Sequence, residues 1–348
     1  GLFVRLHGIP GESAWCDEVL TLTCLPAASL RAFLECAFEV DPRLSLTPLY
    51  YVAAYCWSRL FGGGLPAMRL LSVAAGLGGM ALVFLMGRRL YNARTGLVAM
   101  AGLALSPVLP YYDQEVRFYA LLLLLAMASM YGFVRALETG RGRWWALHGL
   151  GNALLLWTHA FAPTLFFAQG LFLLIFRWRR RRLWFTWGMG HIVLLLLFFT
   201  WMVLLRYDFA THSQAYSDVP PDWRDLAATW LIFAGGRFSE FDPGQWLPGN
   251  ISFDAALGVC AFAAMLWAGR RAWSGRRSSA EYNTPSRLTP FEQWGLLLLW
   301  LLAPPAFLFL ASYVWRPCYL FRYVLFSVPA MWLLVGAGLN AVRHAPVR

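Results

Sequence analysis

The stretch LWFTWGMGHIVLLLLFFTWMVLL, residues 183–205, decides the fold class. It contains no Asp, Glu, Lys or Arg, and a helix of about 20 mainly apolar residues is long enough to cross the hydrocarbon core of a bilayer. The stretch therefore predicts a membrane-spanning helix with His191 near its middle. Further apolar runs lie at 66–87, 96–110, 118–137, 144–160, 162–176, 251–268, 294–312 and 323–341.

The composition agrees with a chain that is embedded in lipid. Of the 348 residues, 59% are hydrophobic and only 14% are charged, which is more apolar surface than one soluble core of this size can hide. The first residues, GLFVRLHG, predict a further span of which only the outer end is present. We therefore expect an all-α polytopic membrane protein with about ten transmembrane helices, forming a single domain over residues 1–348.

The distribution of charge predicts the topology. A net charge of +11 would suggest nucleic acid in a soluble protein, but here the arginines fall mainly in short connections between apolar runs, as in RWRRRR at 177–182. By the positive-inside rule that side is cytoplasmic, and no nucleic-acid partner is expected. The longer outer connections would be 7–65, 111–117, 206–250 and 313–322. Within them, 48–62 is too short to span and predicts a helix lying at the outer membrane surface.

The first outer connection begins with SAWCDEVLTL, which places Asp17 and Glu18 directly beyond the first span. Neighbouring residues on a helix point about 100° apart, so one carboxylate can face a substrate while the other faces a loop. A carboxylate at such a rim could act as a general base on an acceptor. The alternative interpretation is a pair of acidic residues that stabilises a helix N-terminus.

The second outer connection, SPVLPYYDQEVRFY, carries Glu115, Arg117 and Tyr119 between two spans. Arg117 could bind a phosphate through two parallel hydrogen bonds, with Tyr119 stacking beside it. The alternative is a solvated loop in which Arg117 pairs with Glu115 or with Asp113. We favour the functional interpretation, because tyrosines alone would suffice as interfacial anchors.

Other candidates lie at the same predicted face. His159 falls at the outer turn of an expected 144–176 hairpin, and Arg322 and Tyr323 lie in the last outer turn, where Arg322 could bind a phosphate or reach the interface as a snorkelling side chain. His159 could contact a phosphate or diphosphate head group or the acceptor, and a buried structural histidine is an equally good interpretation. Arg69, at the start of the next span, is expected to pair with an acid of the first loop.

The six cysteines show no paired metal-ligand spacing. Their scatter favours small core residues, and a bridge between Cys24 and Cys36 is the less favoured alternative.

Six motifs occur in order along most of the chain: W-x-D-E at 15–18, PLYY at 48–51, AMRLLS at 67–72, Y-x-Q-E-x-R-x-Y at 112–119, TH at 158–159 and RY at 322–323. In this order they resemble bacterial members of the GT-C glycosyltransferase superfamily, akin to dolichyl-phosphate-mannose protein mannosyltransferases and lipid A aminoarabinose transferases. One departure is Thr47 in place of the first residue of a double proline before LYY.

The resemblance implies an inverting transfer of a sugar from a polyprenyl-phosphate donor to a lipid, glycan or protein acceptor. It implies Asp17 as the catalytic base with Glu18 as its neighbour, and a cavity lined by Gln114, Glu115, Arg117 and Tyr119. The expected location is a bacterial inner membrane with the site on its periplasmic or extracellular side. The resemblance leaves open whether a divalent metal takes part, since some relatives use one and others do not.

Two other function classes fit a polytopic chain. A lipid or glycan transporter would place ionisable groups near the middle of the membrane, whereas an enzyme of this kind would place its carboxylates at the outer rim. A non-catalytic subunit of an envelope complex is the third class.

Overall fold

A computed structural model of the chain describes residues 1–9, 13–41, 45–204, 219–236, 251–275 and 286–343. Within these ranges the regular elements are helices and no strand occurs, which confirms the all-α fold class. The outer connection expected at 206–250 lies outside the described residues except for 219–236.

The first part of the chain forms four short helices before the first long one. They are α1 (Leu2–Leu6), α2 (Cys16–Cys24), α3 (Leu30–Val40) and α4 (Leu49–Phe61). The central part follows as α5 (Leu65–Leu90), α6 (Ala93–Leu105), α7 (Val108–Asp113), α8 (Tyr119–Thr139), α9 (Gly142–Leu156), α10 (Pro163–Arg177) and α11 (Arg181–Leu204). The last part comprises α12 (Trp223–Phe233), α13 (Ile251–Gly275), α14 (Pro290–Val314), a 3₁₀ segment (Phe321–Ser327) and α15 (Val328–Arg343).

Six helical stretches of the described residues are long and apolar enough to cross a membrane: α5, α8, α11, α13, α14, and the 3₁₀ segment continued by α15. The protein is therefore an integral membrane protein. The predicted runs 96–110, 144–160 and 162–176 form shorter helices of 13, 15 and 15 residues, so the count of ten spans is not confirmed. The first of them is interrupted at Pro107, because a proline disfavours helical backbone at the residue before it.

The expected hairpin over 144–176 is present as α9 and α10, and the expected helix within 48–62 is present as α4. Around them α8 packs against α5 and α9, α15 packs against α6 and α13, and α10 packs against α14. Glycines bring α8 and α9 close together. A Cβ atom on Gly132 would lie 2.8 Å from the backbone nitrogen of His148, and one on Gly151 would lie 3.0 Å from the Cα atom of Ser129.

The prediction for Cys24 and Cys36 was wrong. Instead of acting as separate core residues they form a disulfide, with Cα atoms 5.7 Å apart. The reason is the packing of α2 against α3, which brings the end of one helix beside the middle of the next. Sequence spacing does not reveal this contact, because the turn between the two helices sets it.

We expect Gly151→Val to lower the thermal unfolding temperature of the purified protein, since the added side chain would push α9 away from Ser129 on α8. Overpacking of this kind costs roughly 1–3 kcal/mol. Gly149→Val, on the same helix, is the matched control, because a Cβ there meets no atom within 4 Å. Equal unfolding temperatures for the two variants would show that α8 and α9 do not pack as described.

Candidate active site at the predicted outer face

The first turn of α2 separates its two carboxylates. The side chain of Asp17 is 34% exposed, whereas that of Glu18 is fully buried. Glu18 lies at the third helical position, and its carboxylate accepts a hydrogen bond of 2.9 Å from the backbone N–H of Trp15, the N-cap residue. A hydrogen bond from the third helical residue back to the N-cap backbone helps to fix the start of a helix. The two carboxylates therefore point in different directions, as their 100° separation predicts.

Glu18 joins α2 to two other segments. Arg69 of α5 donates to both of its carboxylate oxygens, from Nε at 3.0 Å and from a terminal nitrogen at 2.8 Å. The backbone N–H of Val116 donates to the same carboxylate at 2.9 Å. Burial opposes the ionisation of Glu18, but the hydrogen bonds from Arg69, Trp15 and Val116 outweigh it and hold the pKa of the carboxyl below its ordinary value. The expected pairing of Arg69 with an acid of the first loop is confirmed.

Asp17 lies against the second outer connection. Its carboxylate is 3.2 Å from the guanidinium of Arg117, which also contacts the hydroxyl of Tyr51 at 3.4 Å. The guanidinium lies near the ring of Phe118, 5.3 Å from its centroid. The exposed side of Asp17 and the buried side chain of Arg117 thus form one charged pair at the rim of the helices.

His159 lies in the turn between α9 and α10, among aromatic rings. Its ring centroid is 5.1 Å from that of Phe118 and 5.0 Å from that of Tyr323. The backbone N–H of Phe161 donates to Nδ1 at 3.2 Å, so the neutral ring carries its proton on Nε2. Burial, together with the charges of Arg117 and Arg322, lowers the pKa of His159 to about 3. The imidazole is therefore neutral at physiological pH.

The remaining predicted residues lie in the same neighbourhood. The ring of Tyr119 lies 4.5 Å from that of Phe118, and the guanidinium of Arg322 lies 5.7 Å from the centroid of Tyr323. Glu115 is buried, and its backbone carbonyl accepts a hydrogen bond from the hydroxyl of Ser72 on α5. The structure thus brings together side chains from four separate connections. They are Asp17, Glu18, Arg69, Glu115, Arg117, Tyr119, His159, Arg322 and Tyr323.

The alternative pairing of Arg117 with Asp113 is not what the structure shows. Asp113 binds Arg5 of α1 instead, through a buried bond of 2.6 Å, and burial raises the pKa of the Asp113 carboxyl to about 6 although Arg5 opposes the shift. Next to it, the side-chain amide of Gln114 donates to the backbone carbonyls of Arg5 and His7. These residues tie α1 to the second outer connection, a role that sequence spacing did not indicate.

Tyr51 is the main contact of Arg117 that sequence reasoning did not single out. It lies in the PLYY motif, within the helix that was expected at the outer membrane surface. Tyr51 is fully buried, so its hydroxyl is directed into the protein toward Arg117. Among the described residues, no three His, Cys, Asp or Glu side chains lie close enough together to hold a metal ion.

We expect Glu18→Gln to destabilise the protein strongly. Removing the carboxylate charge leaves Arg69 buried without its counter-charge, and breaking a buried ion pair from one side costs about 3–5 kcal/mol. The matched control is Glu35→Gln, which removes an exposed pair with Arg31 one helical turn away and should change little. Thermal unfolding of both variants in detergent checks this. If Glu18→Gln unfolded at the wild-type temperature, the bond between Glu18 and Arg69 would contribute nothing to stability.

The low pKa of His159 predicts a pH dependence of stability. Below about pH 6.5 the unfolded chain binds a proton at this histidine, while the folded protein does not until about pH 3. The protein therefore loses unfolding free energy as the pH falls from 6.5. His159→Phe should weaken this dependence, measured as the unfolding temperature between pH 4 and 7.5. The exposed His7→Phe is the control, and a slope unchanged in both variants would contradict the prediction.

The sequence model of a family described as dolichyl-phosphate-mannose-protein mannosyltransferase matches residues 23–205, more than half of the chain. The match begins after Asp17 and Glu18 and includes Arg69, Arg117 and His159. No curated protein matches the chain.

One solved structure shares the fold. It is ArnT from Cupriavidus metallidurans bound to undecaprenyl phosphate, with a TM-score of 0.53 and 16% sequence identity. The similarity covers 84% of this chain and 50% of ArnT, so the chain spans about half the length of that protein. At this level of identity the comparison establishes a GT-C fold.

Proposed function

Because the chain belongs to the dolichyl-phosphate-mannose-protein mannosyltransferase family, we propose that it is a membrane glycosyltransferase that moves a sugar from a polyprenyl phosphate to an acceptor. The observation that carries this proposal is the partly exposed carboxylate of Asp17, 3.2 Å from the guanidinium of Arg117. A base and a phosphate-binding cation thus lie side by side at the rim of the membrane helices.

The proposal of a polyprenyl-phosphate donor rests on the positive charge of the site and on the fold. ArnT, which shares the fold, was solved with undecaprenyl phosphate bound. In this chain Arg117 and Arg322 come from separate connections, and both lie close enough to His159 to lower its pKa. Planar guanidinium groups suit phosphate oxygens, which they can bind through two parallel hydrogen bonds. Nε2–H of the neutral His159 is a further hydrogen-bond donor for the same phosphate.

The proposed transfer is a single displacement. Asp17 accepts the proton of an acceptor hydroxyl or amine as that group attacks the anomeric carbon of the sugar. The bond between this carbon and the phosphate oxygen breaks, and its electron pair leaves with the lipid phosphate. Arg117 and Arg322 stabilise the negative charge that develops on the departing phosphate. Attack opposite to the departing group inverts the configuration of the sugar.

Glu18 is proposed to position Asp17 and not to react itself. Its carboxylate is fully buried and accepts hydrogen bonds from Arg69, Trp15 and Val116, so its charge is directed into the protein. Arg69 shares this positioning role. The hydrogen bonds of Glu18 set the orientation of the first turn of α2. They thereby set the direction in which the neighbouring Asp17 points.

The position of the carboxylates favours an enzyme over a transporter. Asp17 and Glu18 lie in α2, and Glu115 lies in the connection between α7 and α8, outside the long apolar helices. A carrier would be expected to place such groups at mid-depth. The disulfide between Cys24 and Cys36 supports the proposal that this face lies outside the cytoplasm, because disulfides persist in oxidising compartments.

The decisive test is Asp17→Asn in a strain that lacks the gene, with the full-length protein restored from a plasmid. We expect loss of the general base to slow transfer about 10²–10⁴-fold, so that the envelope glycolipid restored by the wild type is absent from mass spectra. Glu39→Gln, an exposed acid on α3, is the control and should restore the product. Full restoration by Asp17→Asn would refute Asp17 as the base.

A further inference from the structure

The helix α11 (Arg181–Leu204) is attached to the rest of the protein along a narrow face. Of its most apolar 18 residues only 6% are buried within the protein, compared with 56% for α14. Its side chains at Phe185, Leu196 and Phe199 are more than half exposed. Most of its surface therefore faces lipid, and what holds it in place is a small number of contacts with α9 and α10.

Those contacts include a network of hydrogen bonds. Trp187 donates from Nε1 to Nε2 of His148 at 3.1 Å, and the side-chain amide of Asn152 donates to Nε2 of His191 at 2.7 Å. Nδ1 of His191 in turn donates to the backbone carbonyl of Trp187 at 2.8 Å. Gln169 of α10 accepts a second hydrogen bond from Asn152. These bonds hold the imidazole rings of His148 and His191, and they keep α11 at a fixed spacing from α9.

That spacing leaves a groove between α9 and α11. Its volume is about 490 Å³, within the range of pockets that bind small molecules. Gly149 on one wall and Gly190 on the other leave room in it, since a Cβ atom on either would meet no atom within 4 Å. Gly190 is exposed, so the groove opens toward the surrounding lipid.

The groove continues into a second cavity at the end of α11 where the arginines lie. Leu183 and Thr186 line both cavities, and the second, of about 560 Å³, is otherwise lined by the four residues of 179–182, all arginine. From Arg181 to Leu194 the helix rises about 20 Å, which is somewhat more than half the thickness of the hydrocarbon core. Together the two cavities run from a membrane surface to about mid-depth.

Four of the arginines at this end have no carboxylate partner among the described residues. Arg177 pairs with Glu292 of α14, and Arg179 lies over the ring of Trp178, 5.6 Å from its centroid. The ion pairs formed by the described residues include no carboxylate for Arg179 or for the three arginines that follow it. Four adjacent positive charges above a lipid-facing apolar groove are complementary to an anionic head group with an acyl chain.

We propose that this groove binds one anionic phospholipid of the phosphatidylglycerol type. Its phosphate lies among Arg179, Arg180 and the next two arginines, and one acyl chain lies between α9 and α11. The indole rings of Trp178 and Trp184 flank the head group, at the depth where such rings are favoured. The site is far along the helices from Asp17 and does not depend on the proposed transfer reaction.

Gly190→Leu tests the site with all four arginines in place, because the new side chain would fill the groove. The control is Gly188→Leu on the same helix. A Cβ atom on Gly188 also meets no atom within 4 Å, but Gly188 does not line the groove. The purified proteins are delipidated in detergent and incubated with equal amounts of phosphatidylglycerol and phosphatidylethanolamine. Native mass spectrometry then measures the lipid that each protein retains.

We expect the wild type and Gly188→Leu to retain one phosphatidylglycerol in preference to phosphatidylethanolamine, and Gly190→Leu to retain at least fivefold less. A second variant replaces Arg180, Arg181 and Arg182 by Gln and should abolish the preference, whereas Arg88→Gln with Arg94→Gln should keep it. Equal retention of both lipids by the wild type, or unchanged retention in Gly190→Leu, would overturn the proposal. So would undecaprenyl phosphate displacing phosphatidylglycerol from the wild type at equal concentration.

Discussion

A buried carboxylate, that of Glu18, holds three distant parts of the chain together. It bonds the start of α2, the guanidinium of Arg69 on α5 and the backbone N–H of Val116 beyond α7. Taking both charges out of water is unfavourable unless they remain paired and fully hydrogen bonded. The arrangement therefore tolerates little displacement of α2, α5 and the segment beyond α7 relative to one another.

Asp17 owes its position to this constraint. Once Glu18 is fixed inward, the helical geometry of α2 turns Asp17 about 100° away, toward Arg117 and the solvent. Arg117 follows Val116 by one residue, so the same bond that anchors Val116 also sets the place of the guanidinium. The disulfide at the other end of α2 restrains the helix from pivoting. A rigid support and a partly exposed carboxylate are thus adjacent residues.

Much of this could be predicted because lipid imposes simple rules. Apolar length identified the long helices, and alternation of connections grouped Asp17, Arg117, His159 and Arg322 on one face. The partners of side chains across the site were harder to predict, because local sequence does not fix distances between loops. Asp113 pairs with Arg5 instead of Arg117, and Cys24 with Cys36, for reasons of tertiary packing. The contacts of His148 and His191 were hidden similarly, since they depend on how helices rotate about their axes.

These contacts join residues that are far apart in the sequence. This separation determines when the site can form during synthesis. Val116 lies 98 residues after Glu18, so the buried carboxylate has no complete set of partners until α5 and the connection before α8 have been made. The ring contact between His159 and Tyr323 forms later still, when the 3₁₀ segment has been made. A nascent chain at the translocon therefore carries a charged, incomplete rim until the segment around Tyr323 has been made.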